Sequence, residues 1–186
     1  MVEANITAAW PKHGLADLVR CTADALAANK YCFIWDKQGS VGTFMQYKAQ
    51  LENLGPEIVK AALGRQTAAD IGEFIRQKSV VAMRQGETLC FDIDTGNADF
   101  AAYSSAGTFD AELYFNWAEW AKEENYITYV RENENHSIGG LNPGHYIRSE
   151  KFNVCLRSGV STEEELRAQI ALIPRFATDF HCVIIE

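Results

Sequence analysis

Apolar residues along this chain fall into two patterns, and the two alternate. Four short runs are apolar or aromatic at nearly every position: Tyr31-Cys32-Phe33-Ile34-Trp35, Thr88 to Ile93, Lys151 to Leu156 and His181 to Ile185. Runs of this length, without strict alternation, predict strands buried on both faces, as in a parallel sheet covered by helices. Between them, apolar positions recur every three or four residues. Gly14 to Ala28 sets Leu15, Leu18, Val19 and Leu26 roughly on one side of a helix. Thr43 to Leu54 reads as a second helix, broken at Gly55-Pro56 and resumed over Glu57 to Leu63. A third begins at Thr67 as cap, carries Asp70 in its first turn, repeats Ile71, Phe74, Ile75 and Lys78 at helical spacing, and stops at Gly86.

Asp110 to Lys122 predicts a helix with an aromatic face (Leu113, Tyr114, Trp117, Trp120), and Tyr126 to Arg131 a short strand. Glu132 to Gly144 is polar and glycine-rich, hence a loop. Ser161 or Thr162 opens a last helix with the spacing of a capping box (Ser161 to Glu164, Thr162 to Glu165), and Pro174 follows its end. The expectation is therefore one α/β domain over residues 1–186, with residues 1–29 as a helical segment packed on it. Its architecture is a three-layer α/β/α sandwich around a mainly parallel sheet.

Composition narrows the function more than the fold. With 186 residues the chain suffices for one well-buried core and is short for two. A net charge of −8, with lysines and arginines scattered, argues against a nucleic-acid surface, which needs clustered cations. No apolar stretch approaches the roughly 20 residues of a membrane span. Met1-Val2-Glu3-Ala4-Asn5 lacks the basic and apolar regions of a secretory signal. Five cysteines (21, 32, 90, 155, 182), an odd number with no CxxC spacing, fit a reducing compartment, and the expected location is cytoplasmic. In that setting the triplets at Asn5 and Asn135 carry no meaning as glycosylation sites.

In parallel α/β sheets ligands sit at the carboxyl ends of strands. That directs attention to Asp36 through Thr43, Asp92 through Gly96, and Arg157 through Gly159. Gly39-Ser40-Val41-Gly42-Thr43 follows a strand and leads into a helix, an arrangement whose backbone N–H groups can cradle a phosphate. The full motif, GxxxxGK[ST], is not met: Gly42 is followed by Thr43 and Phe44 rather than by lysine, and Lys37 stands where the first glycine belongs. Asp92-Ile93-Asp94-Thr95-Gly96 resembles the DxDxT motif of haloacid-dehalogenase-type phosphatases, which implies a nucleophile and an acid/base. The threonine falls one position early, and no later acidic pair supplies their Mg²⁺ site. His13, His136, His145 and His181 have no ligand spacing, and no GxSxG occurs. The sequence thus nominates no catalytic residue, no metal ligand and no particular cofactor. Asp36, Gly39, Gly42, Thr43, Asp92, Asp94 and Arg157 remain as candidate ligand-binding positions.

Taken in order, Phe33-Ile34-Trp35-Asp36-Lys37-Gln38-Gly39 and the helix after it resemble the degenerate P-loop of dynein-type AAA+ modules. Ala82 to Leu89 then resembles that family's helix, glycine and apolar strand, and Phe152 to Gly159 its strand ending in a polar residue. The likeness runs over residues 30–186 and lacks the phosphate-binding lysine, a metal-binding acidic pair and the helical lid. It implies a P-loop-NTPase-like fold kept for structure or interaction, a pseudo-NTPase with a protein partner in a cytoskeletal or flagellar type of assembly. The alternative expectation is an α/β protein, enzyme or not, binding a nucleotide or another small phosphorylated molecule, with strand-end carboxylates and a helix N-terminus holding Mg²⁺ and phosphate.

Overall fold

The computed structural model describes residues 6–140 and 142–186. Residues 1–5, including the stretch tested for a secretory signal and Asn5, lie outside that description. Six strands, all parallel, form one sheet: β1 (Lys12–His13), β2 (Tyr31–Asp36), β3 (Gln50–Asn53), β4 (Thr88–Asp94), β5 (Asn153–Ser158) and β6 (Phe180–Ile185). Their order across the sheet is β1-β6-β2-β5-β4-β3. The four apolar runs of the sequence are its four central strands.

The path of the chain decides which face each helix covers. It moves one way across the sheet from β1 through α1 (Leu18–Ala27) to β2, and on through α2 (Val41–Lys48) to β3. From there it returns, through α3 (Gly55–Ala62) and α4 (Ala68–Gln85) to β4 and eventually to β6. Parallel crossovers are right-handed, so reversing direction puts the later helices on the opposite face. Two separate cores follow. Leu18, Ala25, Val41 and Met45 of α1 and α2 pack on Ile34, Val183 and a lateral row of thiols: Cys90, Cys155 and Cys32 are register neighbours across β4, β5 and β2. The other face buries Tyr31, Phe33, Phe91, Phe100, Tyr114, Phe115, Trp120 and Phe152, a largely aromatic core.

Helix α4 holds the second core against the sheet. Thr67 Oγ1 accepts from the Asp70 N–H while an Asp70 oxygen accepts from the Thr67 N–H, so two of the helix's free donors are satisfied. The helix ends at Gly86, whose φ of +73° is a left-handed cap that glycine adopts without strain. In its second turn, Gly72 passes so close to the Tyr103 carbonyl that an added Cβ would lie 2.2 Å from that oxygen. Helix α8 (Glu163–Ile170) starts on a capping box of Thr162 and Glu165.

Four expectations are corrected. The helix read over Thr43–Leu54 ends at Lys48, and Gln50–Asn53 becomes the edge strand β3. Gln-Leu-Glu-Asn has neither an apolar run nor an alternation long enough to announce a strand; it is one because β4 offers a free edge to pair with. Gly55-Pro56 opens α3 rather than breaking a helix, since proline fits the first turn, where its missing N–H costs nothing. The helix expected over Asp110–Lys122 is divided into α5 (Ala111–Tyr114) and α6 (Trp117–Trp120), with α7 (Glu123–Tyr126) after it. Asp110 and Asn116 each cap a fresh start through a side-chain oxygen, 3.1 Å from the Leu113 nitrogen and 3.3 Å from that of Glu119. Tyr126–Arg131 is no strand: it finishes α7 and makes a 3₁₀ turn over Ile127–Tyr129. Its apolar residues point into the aromatic core, where the Tyr129 and Trp120 rings meet edge to face at 4.2 Å. The chain then closes through α9 (Phe176–Asp179) into β6. Among the described residues no helix is long and apolar enough to cross a membrane.

Candidate functional site

Side chains alternate between the faces of a strand. Cys32, Ile34 and Asp36 on β2, Cys90 and Asp92 on β4, and Cys155 and Arg157 on β5 therefore all face α1 and α2. The last residue of each series is polar, and the three series end at the same edge of the sheet. Ile34 and Asp92 are the register partners of Arg157 on either side. The Arg157 stem thus rises between two carboxylate-bearing strands. The connections leaving β2 and β5 go to opposite faces, so this is also the switch point at which an open parallel sheet forms a crevice.

Four of the seven candidate residues meet there. Arg157 Nε and Nη2 lie 3.1 and 2.9 Å from Asp36 Oδ2, and Nη1 lies 3.0 Å from Asp92 Oδ1 and 2.8 Å from Asp94 Oδ1. Asp36 is 1% exposed and Arg157 7%, whereas the Asp94 side chain is half exposed. Burial alone would lower the Arg157 pKa, but the hydrogen bonds and charges of Asp92 and Asp36 outweigh it and raise the pKa above its ordinary value. The guanidinium is a fixed cation whose three nitrogens all donate to carboxylates.

The Asp36 carboxylate does a second job. Its Oδ1 accepts from the N–H of Gly39 (2.9 Å) and of Ser40 (3.3 Å), and its Oδ2 from that of Val41 (3.0 Å). Those are the donors at the start of α2 that the sequence offers to a phosphate. Gly39 makes the turn at φ +74°. Gly42 brings the first turn of α2 against Asp92: a Cβ there would lie 3.6 Å from Asp92 Oδ2. Thr43 does not join the cluster; it is exposed on α2.

Two participants escaped the sequence reading. Gln169 of α8 accepts from Ser158 Oγ at 2.6 Å and donates to the carbonyls of Asp94 and Gly96 at 2.9 and 2.7 Å, which pins the turn after β4. A glutamine inside a helix gives no signal of this kind. Gly159 approaches so closely that a Cβ would lie 2.3 Å from Asp94 Oδ1. Asp94 itself sits at φ +45°, just past a bulge in the β4–β5 ladder, a conformation that costs energy for a residue with a Cβ.

The dehalogenase-like reading finds Asp92 held by Arg157 and by the Asp94 N–H at 2.9 Å. Among the described residues no group of three or more His, Cys, Asp or Glu side chains is placed to hold a metal ion. The arrangement can neutralise charge, lock three strand ends together and cap a helix. No family model matches the chain, and neither a curated protein nor a solved structure matches it.

Proposed function

We propose that this domain is a P-loop-like module that works without catalysis, a pseudo-NTPase fold serving as an interaction unit in a protein assembly of the cytoskeletal or flagellar kind. One observation carries the reading: the Asp36 carboxylate accepts the N–H groups of Gly39, Ser40 and Val41, the place an incoming phosphate would take. The chain supplies its own anion. The nearest cation, Arg157, is held by three carboxylates, so the crevice carries an excess of negative charge that disfavours a phosphate. The missing P-loop lysine agrees with this.

A nucleotide- or phosphometabolite-binding role is the second reading. It is supported by the convergence of Asp36, Asp92, Asp94 and Arg157 on the crevice where open α/β sheets take ligands. Thermal denaturation with ATP, GTP, ADP and inorganic phosphate, each with and without Mg²⁺, separates the two. A ligand at a hundred times its dissociation constant would stabilise the fold by about 2.7 kcal/mol. The proposal expects no shift with any of them; a saturable, Mg²⁺-dependent rise in Tm overturns it in favour of the second reading.

A further inference from the structure

At the opposite end of the sheet from Asp36, residues 134–140 and 142–151 fold against the end of α4. Ser149 N–H donates to the Met83 carbonyl at 2.8 Å, and Tyr146 Oη donates to the Val80 carbonyl at 2.7 Å. Between loop and helix lies a cleft of about 350 Å³ lined by Arg84, Ser137, Ile138, His145, Ile147 and Ser149. Ile138 is 67% exposed and Ile147 70%, and they belong to the same cleft. Apolar side chains exposed singly need no explanation, but two that line one groove form a surface a partner can cover.

The charge of the cleft differs from that of the chain. The protein carries −8 overall, yet no carboxylate lines this groove. Arg84 Nη1 donates to the Glu134 carbonyl at 3.1 Å and lies 3.1 Å from His136 Nε2. The Glu134 carboxylate is taken by Arg76, at 2.7 and 2.9 Å. The face of the guanidinium lies over the Tyr146 ring at 5.9 Å, but among the described residues Arg84 Nε and Nη2 have no hydrogen-bond partner, and no carboxylate pairs with Arg84. An arginine in the last turn complements the helix dipole, but that role requires neither a cleft nor flanking isoleucines. The free edge of a guanidinium fits a carboxylate in a two-pronged hydrogen bond.

We infer that this cleft is a docking site for an acidic, apolar peptide segment of a partner protein, with a side-chain carboxylate on Arg84 and an aliphatic side chain between Ile138 and Ile147. The inference names a partner chemistry for the interaction unit proposed above, but it stands on a different end of the molecule. Nucleotide binding at Asp36 would sink that proposal and leave this one intact.

The test is an amide chemical-shift titration of the full chain with three end-blocked twelve-residue peptides. One alternates Leu and Glu, one replaces each Glu by Lys, and one replaces each Leu by Ser. The Leu/Glu peptide is expected to saturate, moving the amides of Arg84, Ser137, Ile138, His145, Ile147 and Ser149. The other two are expected to bind at least tenfold more weakly. Arg84→Gln and the pair Ile138→Ser with Ile147→Ser should each weaken the Leu/Glu peptide tenfold or more, while an unchanged amide spectrum elsewhere shows that they fold. Both isoleucines are exposed, so the fold does not depend on them. No saturation by the Leu/Glu peptide up to about millimolar concentration, the limit of weak specific association, overturns the proposal. So does equal binding of the Leu/Lys peptide, or shifts confined to another surface.

Discussion

Replacing Arg157 with Met isolates the charge of the strand-end cluster. The thioether preserves much of the stem's packing and removes every guanidinium donor. Asp36 would keep its three backbone donors, whereas Asp92 would keep only the Asp94 N–H. Two almost fully buried carboxylates would then face each other without a cation, at 1% and 8% exposure. Breaking a buried ion pair from one side costs about 3–5 kcal/mol, because the remaining charge stays desolvated. For a chain of this size each kcal/mol lowers Tm by about 2–4 °C, so the variant should melt about 10 °C lower. In urea the midpoint should fall with the slope unchanged, since the same surface unfolds. The second half of the test is Asp92→Asn in the Arg157→Met background, which should restore about 0.5–3 kcal/mol, the usual range for coupled neighbours. A loss below about 1 kcal/mol for Arg157→Met, the value of an exposed pair, or a double variant no better than the single one, would refute the claim that this cluster is a buried, mutually neutralising unit.

Three further outcomes test the rest of the fold. Gly72→Ala should destabilise the protein by about 1–3 kcal/mol in urea titrations despite alanine's better helix propensity, because the Tyr103 carbonyl is backbone and cannot swing aside. Thr67→Ala should cost about 1 kcal/mol by the same assay through loss of the capping box on α4. Stability should also fall in acid. Arg76 holds the Glu73 carboxyl below the ordinary glutamate value of 4.5; at Glu134 burial pulls upward, but Arg76 and the Arg131 N–H outweigh it and lower that carboxyl too. Groups depressed in the folded state contribute stability that is fully present above 4.5 and lost as pH falls through their folded values. Urea midpoints measured from pH 6 down to pH 3 should show this decline, and it should flatten in the Glu73→Gln, Glu134→Gln double variant.

The layers of this fold were legible where a residue's environment is written in its own neighbourhood. β2, β4, β5 and β6 are apolar on both sides because both faces are covered, and Thr67 and Thr162 cap helices through contacts three residues away. β3 was not legible, since its pairing depends on a partner nearly forty positions later. The Tyr126–Arg131 segment misled because burial against aromatic rings and burial in a sheet select the same residue types. At the site, Asp36, Asp92, Asp94 and Arg157 were found because strand ends are where polar residues interrupt apolar runs. Their relation to one another was not, because the lateral strand order decides which ends are neighbours. Arg157 lies between Asp36 and Asp92 only because β5, fifth in the chain, runs between β2 and β4.

The row of Cys32, Cys155 and Cys90 beneath α1 and α2 makes the protein its own reporter of opening. All three are fully buried and Cys21 nearly so; burial pushes the Cys21 thiol up to about 11 and that of Cys90 higher still, while at Cys155 the side-chain hydrogen bond with Cys32 raises the thiol first and burial adds to it. A thiol with no exposed surface is out of reach of an alkylating reagent. Modification of the row must therefore wait for the α1–α2 layer to lift from the sheet. The rate of labelling at each cysteine, read by mass spectrometry, becomes a clock for that motion. If the layer detaches as a unit, Cys32, Cys90 and Cys155 will keep the same time.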